Sequence, residues 1–568
     1  MVSVELSCGR TSLGVRVIVK VPALYLDKIK ESVEDGSLED LVLDRRRERC
    51  WTYPIERYYQ VLEGLESSTE PRWNILPVPT ALLNFFMYRY QQIQKKPVEL
   101  PASLTDLPVY QRLYPYQKQG VRFIVENQGR GILGDDMGLG KSIQAVTLVR
   151  FYGVRTLIIA PSSVKQHWVN EFRAHGMQLE NLTNQKETVS QWVIVSYSLL
   201  SRRTDPSVFE GYSMVVLDEA HYVKCRQSKR TKMITRLLSS VPKILLLTGT
   251  PITRPIDLYS IFKLLHPVLF KRFHRWPKPG QETKTQEPAK EFFYADRYCA
   301  PQQKQISRYS VCTDFNGTSR LLELNLLLSF FMIRRLKKDV LCELPAKTRQ
   351  VVALDTLQPE DRAYFSRAIG DLADITNTDG KMLANARLIE LVTCTARLKL
   401  EALKTYVQKA CEELREGDKV LLFAHHHSVL DTIHTFLTEK GVDCITIDGR
   451  TPTKERQKKV DAFQNGETPR VALLGIQAAG TGLNLFRANR VVFLELVWNS
   501  KDILQCEDRA HRIGQTRPVT VQYLVLQGST DDMVIRSLQT KFYISNFVTD
   551  LVSKPIVLQP SKRQKTIP

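Results

Sequence analysis

From Tyr110 onward, short apolar runs alternate with longer segments of helical spacing. Thr156–Ala160, Val193–Ser196, Met214–Leu217 and Ile244–Leu247 are apolar at successive positions rather than at every second one. Strands of that kind, separated by helices, predict a parallel sheet covered on both faces. A second alternating block begins near 346, with runs at Val420–Phe423, Val471–Leu474, Val491–Leu494 and Val519–Leu524. The predicted class is α/β: two parallel-sheet lobes in tandem, 109–266 and 346–540, behind a small α+β N-terminal domain, 1–65. In that first unit Val15–Val19 reads as a strand, and Leu24 to Leu41 carries helix-like spacing. Residues 66–108 hold six prolines and read as a connector with one aromatic-rich helix near Ala81 to Gln94. A basic, proline-containing stretch, 267–345, lies between the lobes. Residues 541–568 read as a disordered basic tail, ending in Ser561-Lys562-Arg563-Gln564-Lys565.

Bulk properties narrow the function. The 568 residues are enough for several domains, and 43% are apolar, so real cores are available. A net charge of +20 points to a polyanionic partner, with nucleic acid first. The longest apolar stretch, Leu321 to Ile333, is interrupted by Glu323 and Asn325 and is too short to span a bilayer. With Glu5 and Arg10 near the start, no signal peptide or membrane partner is expected. Ten scattered cysteines form no C-x-x-C pair, so neither a zinc site nor a disulfide framework is expected. His425-His426-His427 looks like a metal box, but adjacent rings point to different sides of the chain.

The chemistry centres on Gly134-Asp135-Asp136-Met137-Gly138-Leu139-Gly140-Lys141-Ser142, between an apolar lead-in and a helix. Backbone N–H groups of such a loop close on a triphosphate, and the helix N-terminus adds its positive dipole end. Lys141 reaches the β- and γ-phosphates, and Ser142 offers its hydroxyl to Mg²⁺. ATP and Mg are the expected cofactors. One departure stands out: the general G-x-x-x-x-G-K-[ST] pattern wants glycine at Asp135. Asp218-Glu219-Ala220-His221 follows the third apolar run; Asp218 suits the metal and Glu219 a general base. Thr248-Gly249-Thr250-Pro251 follows the fourth and suits sensing of the γ-phosphate. Gln117 precedes the loop, and its amide suits an adenine edge. In the second block Arg509 and Arg512 are three apart, so they are expected on one helix face, aimed across a cleft at the transferred phosphoryl group. In the first unit Arg45, Arg46, Arg47 and Arg49 lie beside Trp51, Tyr53, Tyr58 and Tyr59: phosphate contacts with stacking faces, or a basic surface over an aromatic core.

These motifs, in this order over about 110–540, resemble the superfamily-two helicase-like ATPases of the SWI/SNF class, whose lobes are RecA-like. Asp135 through Ser142 resembles the class's own loop, in which Asp at 135 is usual. Gly480-Thr481-Gly482-Leu483-Asn484-Leu485 and Arg509-Ala510-His511-Arg512-Ile513-Gly514-Gln515 resemble its fifth and sixth motifs, and Phe423-Ala424-His425-His426 its fourth. Arg297-Tyr298-Cys299, Asp314 through Leu324, and Met332-Ile333-Arg334-Arg335-Leu336-Lys337-Lys338-Asp339-Val340 resemble the annealing-helicase branch, the HepA-related proteins. Trp51-Thr52-Tyr53-Pro54-Ile55-Glu56-Arg57-Tyr58-Tyr59 resembles that branch's HARP domain. The resemblance implies a DNA-dependent ATPase that moves on duplex DNA, rewinds separated strands and remodels stalled forks. It also implies strand contacts around Ser162, Ser196 and Thr481, and a nuclear, monomeric protein acting on duplex, forked or branched DNA among replication and repair proteins. The alternatives are a nucleosome-remodelling ATPase and a catalytically silent DNA-binding scaffold. The first unit is expected to be separable: its removal should leave hydrolysis and abolish annealing.

Overall fold

The computed structural model describes residues 2–11, 14–22, 28–29, 33, 36–43, 46–68, 73–94, 99–182, 190–202, 211–249, 254–272, 293–307, 310–340, 344–354, 357–378, 381–479, 485–512, 514–550 and 559–560. Both expected parallel sheets form. In the first lobe the strand order is Met332–Ile333, Arg130–Leu133, Lys243–Leu247, Met214–Leu217, Thr156–Ala160, Trp192–Ser196, Glu180–Asn181, every neighbour parallel. In the second it is Cys444–Ile447, Val471–Gly475, Val420–Ala424, Arg490–Phe493, Val519–Leu526, Lys347–Leu354, Gln559–Pro560, again parallel throughout.

The continuous apolar runs have a simple cause. Successive side chains point to opposite faces, and helices cover both. Leu157, Ile159, Val215 and Leu217 enter one core, while Ile158, Ala160, Met214 and Val216 enter the other. In the second lobe Leu421 and Phe423 face one core, and Val420, Leu422 and Ala424 its opposite. The described helices include none long and apolar enough to cross a membrane. Leu321–Ser329 is instead a buried helix, followed by a strand that joins the first lobe's sheet.

The N-terminal residues form a five-stranded sheet, ordered Ser37–Leu43, Arg46–Pro54, Gly14–Lys20, Val2–Thr11, Trp73–Leu76. Two expectations change here. Residues 37–41 are strand, not helix, because Ser37–Leu43 pairs antiparallel with Arg46–Pro54 from Ser37↔Thr52 to Leu43↔Arg46. The unit also does not stop at 65. Trp73–Leu76, from the presumed connector, pairs parallel with Val2–Thr11, and the following helix Thr80–Gln94 buries Leu82, Leu83 and Phe86.

This sheet packs into the motor rather than standing apart from it. Val4, Leu6, Tyr53 and Tyr58 share one contiguous core with Phe86, Leu324, Leu327 and the first lobe's Ile132 and Leu246. The seam is pinned by a buried charge pair. Glu323, fully buried on the helix Leu321–Ser329, accepts hydrogen bonds from Arg297 Nε (2.5 Å) and Nη2 (2.7 Å), Tyr298 Oη (2.9 Å) and the backbone N–H of Cys8 (2.9 Å). Arg297 also donates to the carbonyls of Leu6 (3.0 Å) and Pro77 (3.3 Å), and Arg320 pairs with Glu5 at 2.6 Å. Burial would raise the Glu323 carboxyl, but Arg297 more than offsets it and holds it below the usual range.

At the other end, the helix Thr530–Asp550 runs past 541, where a tail was expected. Lys541 Nζ donates to the Trp498 carbonyl at 2.6 Å, tying that turn to the lobe. Residues 551–558 and 561–568, including the basic run, lie outside the described residues.

Candidate nucleotide cleft between the lobes

The phosphate loop links the strand Arg130–Leu133 to the helix Lys141–Tyr152. Gly138 (φ 84°) and Gly140 (φ 75°) take left-handed conformations, which curl the loop so that its amides converge. Lys141 Nζ donates to the carbonyls of Asp135 (2.8 Å) and Asp136 (3.2 Å). Burial lowers the Lys141 pKa, opposed by the carboxylates of Glu219, Asp135, Asp136 and Asp218. A side chain at Gly249 would stand 3.0 Å from Lys141 Nζ and 2.6 Å from the Met137 side chain, so glycine is required where the fourth strand's loop meets the phosphate loop. Thr248 is buried, with its N–H on the Leu133 carbonyl at 3.1 Å. Thr250 and Pro251 lie outside the described residues.

The structure explains the aspartate where the general loop has glycine. Asp135 is fully buried, and Arg335 clasps it: Nε to Oδ1 at 2.8 Å and Nη2 to Oδ2 at 2.5 Å, with Gln144 Nε2 donating to Oδ2 at 3.0 Å. Asp136 accepts from Arg334 Nη2 and from the backbone N–H of Lys337, both at 3.1 Å. The segment 334–337 therefore straps the loop from behind. Its Lys337 Nζ continues into the second lobe, to the His511 carbonyl at 2.7 Å and to Asp508 at 3.1 Å.

Gln117 is buried, and its amide faces inward. Its Oε1 accepts from the Tyr114 N–H (3.0 Å), closing a capping box, and its Nε2 donates to the Leu139 carbonyl of the phosphate loop (3.1 Å). In this arrangement Gln117 braces the loop.

Asp218 stands at the end of the strand Met214–Leu217, beside Glu219 (φ 53°). Trp168 Nε1 donates to Asp218 Oδ2 at 2.8 Å, and the Glu219 N–H to Oδ1 at 2.9 Å. Burial and the charge of Glu219 raise the Asp218 carboxyl. Burial would raise Glu219 too, but His221, Lys501 and Lys141 hold it down. A site that leaves Asp218 short of positive charge, with the Ser142 hydroxyl at the start of the neighbouring helix, suits a hard divalent cation with oxygen ligands. His221 Nδ1 lies 3.1 Å from Glu219 Oε2, off the direction of an ideal hydrogen bond.

The second lobe reaches this site. The helix Ser500–Ala510 carries Arg509 in its last turn, buried and within the field of Glu219. The spacing predicts Arg512 on the same helix face, but it is not on the helix. The chain leaves the helix at His511 (φ −92°, ψ 80°), and Arg512 follows in the bend beyond. The bend nevertheless lays its side chain against the phosphate loop, with Cγ 3.4 Å from where a Gly138 side chain would begin.

Ser162 and Ser196, far apart in sequence, come together through Ser198: Ser196 Oγ is 3.1 Å and Ser162 Oγ 3.4 Å from Ser198 Oγ. They line a recess of about 430 Å³ with Lys165, Asn181 and Arg202. Thr481 lies outside the described residues, as do Arg45 and the side chains of Arg46 and Arg47. Trp51 corrects an expectation. It is 9% exposed and belongs to the sheet's core, as do Tyr53 and Tyr58, so it presents no open face for a base. The three histidines diverge: His426 Nδ1 pairs with Glu495 at 2.6 Å and His427 Nδ1 with Asp448 at 3.3 Å. Sequence reasoning had no signal for Trp168, Gln144 or Lys501 as site residues, since their partners lie elsewhere in the chain.

A phosphate loop with an acidic strand end, faced by two arginines from a second parallel-sheet lobe, defines a two-lobed nucleotide-binding protein of the helicase-like kind. A model of the SNF2-related domain matches residues 116–401, and one of the helicase conserved C-terminal domain matches 399–514. The chain belongs to the SNF2-related family. It is 34% identical to the SWI/SNF-related matrix-associated actin-dependent regulator of chromatin subfamily A-like protein 1 of Xenopus tropicalis, over 87% of this chain and 51% of that protein. It is 32% identical to the Caenorhabditis elegans homolog of that protein, over 87% and 69%. It is also 32% identical to the human DNA annealing helicase and endonuclease ZRANB3, over 80% and 42%. The chain thus spans about half the length of most of these curated relatives.

Proposed function

We propose that the chain is an ATP-driven translocase on double-stranded DNA that rewinds separated strands and remodels stalled forks. The observation that carries this reading is Arg512 of the second lobe lying against Gly138 of the first, with Arg509 buried beside it. A triphosphate on the loop would be held from both sides, so binding favours closure and hydrolysis releases it. In this reading Lys141 neutralises the β- and γ-phosphates. Ser142 and Asp218 would hold Mg²⁺, which would supply charge neutralisation at the phosphate oxygens. Glu219 orients and deprotonates the attacking water, and Arg509 and Arg512 stabilise charge developing on the transferred group. The phosphate loop's backbone from Asp136 to Gly140, braced by Gln117, cradles the nucleotide.

The duplex would lie across both lobes, gripped through its phosphates, because a motor must hold any sequence. Ser162 and Ser196, now with Ser198 and Arg202, supply polar and positive groups suited to one strand. By the family resemblance Thr481 and Arg45, Arg46 and Arg47 are further candidate DNA contacts. Annealing and fork remodelling rest on the relatives named as annealing helicases, and a nuclear location on their DNA-directed roles. Lys141→Ala and Glu219→Gln should each abolish DNA-stimulated ATP hydrolysis while retaining duplex binding. Normal turnover in either would refute the assignment. Fork-regression and nucleosome-sliding assays side by side separate the annealing role from a chromatin one.

A further inference from the structure

The helix that brings Arg509 to the cleft also presents a cation at its opposite end. Lys501, in its first turn, has its N–H on the side-chain oxygen of Asn499 (3.3 Å), which fixes where the helix begins. Its ammonium crosses the cleft and meets His221 Nε2. The other ring nitrogen, Nδ1, lies 3.1 Å from Glu219 Oε2, within ion-pair distance but out of line for a hydrogen bond. A lysine ammonium has donors and no acceptor, so the ring nitrogen it meets must accept. A neutral imidazole then carries its hydrogen on Nδ1, the nitrogen that faces the Glu219 carboxylate.

The carboxylates of Glu219 and Asp502 favour the charged form of Lys501 against its burial, and an aromatic face helps to aim it. Its Nζ lies 5.3 Å from the centre of the Tyr222 ring. Tyr222 stacks on Tyr197 (5.0 Å between centres), whose hydroxyl donates to the Asp218 carbonyl at 2.8 Å. The platform that supports Lys501 is thus built on the same strand end that carries the acidic pair. A cleft of about 630 Å³, lined by His221, Tyr222, Asn499, Lys501 and Asp502, opens here between the lobes.

We propose that Lys501 is a positioning residue of the second lobe. By donating to His221 Nε2 it sets the imidazole tautomer whose Nδ1–H, 3.1 Å from Glu219 Oε2 but out of line here, turns onto that carboxylate as the lobes close, so that the base is aligned when they meet. This rests on the reading of Glu219 as general base. It gives the second lobe two inputs to hydrolysis: arginines acting on the phosphoryl group, and a lysine acting, through a histidine, on the water-activating carboxylate.

The test uses the full chain, with saturating duplex DNA and steady-state ATP hydrolysis, comparing Lys501→Met, Lys501→Arg, His221→Ala and the Lys501→Met/His221→Ala double variant. Loss of alignment removes part of the contribution of general base catalysis, so kcat of Lys501→Met should fall roughly tenfold. The KM for ATP should change by less than about twofold, and Lys501→Arg should retain most of the rate. In the His221→Ala background, Lys501→Met should cost nothing further. An unchanged kcat in Lys501→Met, a change confined to KM, or an equal further loss in the His221→Ala background would each overturn the proposal. Glu219→Gln separates the two levels. If it hydrolyses normally, the general-base reading itself fails; if it is inactive while Lys501→Met is unaffected, the lysine relay alone fails.

Discussion

Replacing Arg297 with methionine should loosen the N-terminal sheet from the motor. In the native protein Glu323 is fully buried and takes hydrogen bonds from Arg297 on both of its oxygens. Arg297→Met keeps much of the side-chain volume but strands that carboxylate, and frees the Leu6 and Pro77 carbonyls on the far side of the seam. Removing one partner of a buried pair costs about 3–5 kcal/mol, because the remaining charge is uncompensated. Cys8 donates its backbone N–H directly to Glu323, so the loss should be felt in the strand Val2–Thr11. If the seam opens as a unit, that free energy converts to amide exchange there faster by roughly a hundredfold to a few thousandfold. Hydrogen–deuterium exchange read by mass spectrometry resolves this peptide from the lobes. An Arg297→Met/Glu323→Leu double variant removes both charges and should exchange more slowly than the single variant. Unchanged exchange in Arg297→Met, or a double variant as fast as the single, would refute the claim that this pair fastens the sheet.

Asp135→Gly brings the loop closer to the general phosphate-loop pattern, yet should weaken ATP binding and hydrolysis, because it leaves the half-buried Arg335 without the carboxylate it clasps, at a cost of about 1–3 kcal/mol. Nucleotide titration and activity both check this, and wild-type behaviour would show that the strap is dispensable. Acid should destabilise the second lobe through Glu507. Burial would raise this carboxyl, but Arg349 and Lys347 hold it down to about 2 from an ordinary 4.5. A depressed carboxylate contributes stability that is present above about pH 4.5 and is lost as pH falls toward 2. Urea unfolding followed by tryptophan fluorescence should show that decline, and Glu507→Gln should flatten it.

The linear chain determined the two parallel-sheet lobes, because a strand covered on both faces must be apolar at every position, and a run such as Met214–Leu217 has few other uses. It also marked the phosphate loop and Asp218-Glu219, whose chemistry depends on neighbours in sequence. What depended on distant partners had to await folding. Asp135 looks like a defect until Arg335, two hundred positions later, is seen to clasp it. Trp51 looks like a stacking face until the sheet closes over it. Arg509 and Arg512 carried the right charge in the right lobe, but the chain's exit from the helix at His511, rather than helical periodicity, places Arg512 at the loop. The N-terminal unit read as separable because its own pattern is self-consistent. That it shares a core and a buried ion pair with the motor is a property of two surfaces meeting, and local pattern encodes what each segment buries, not which segment it is buried against.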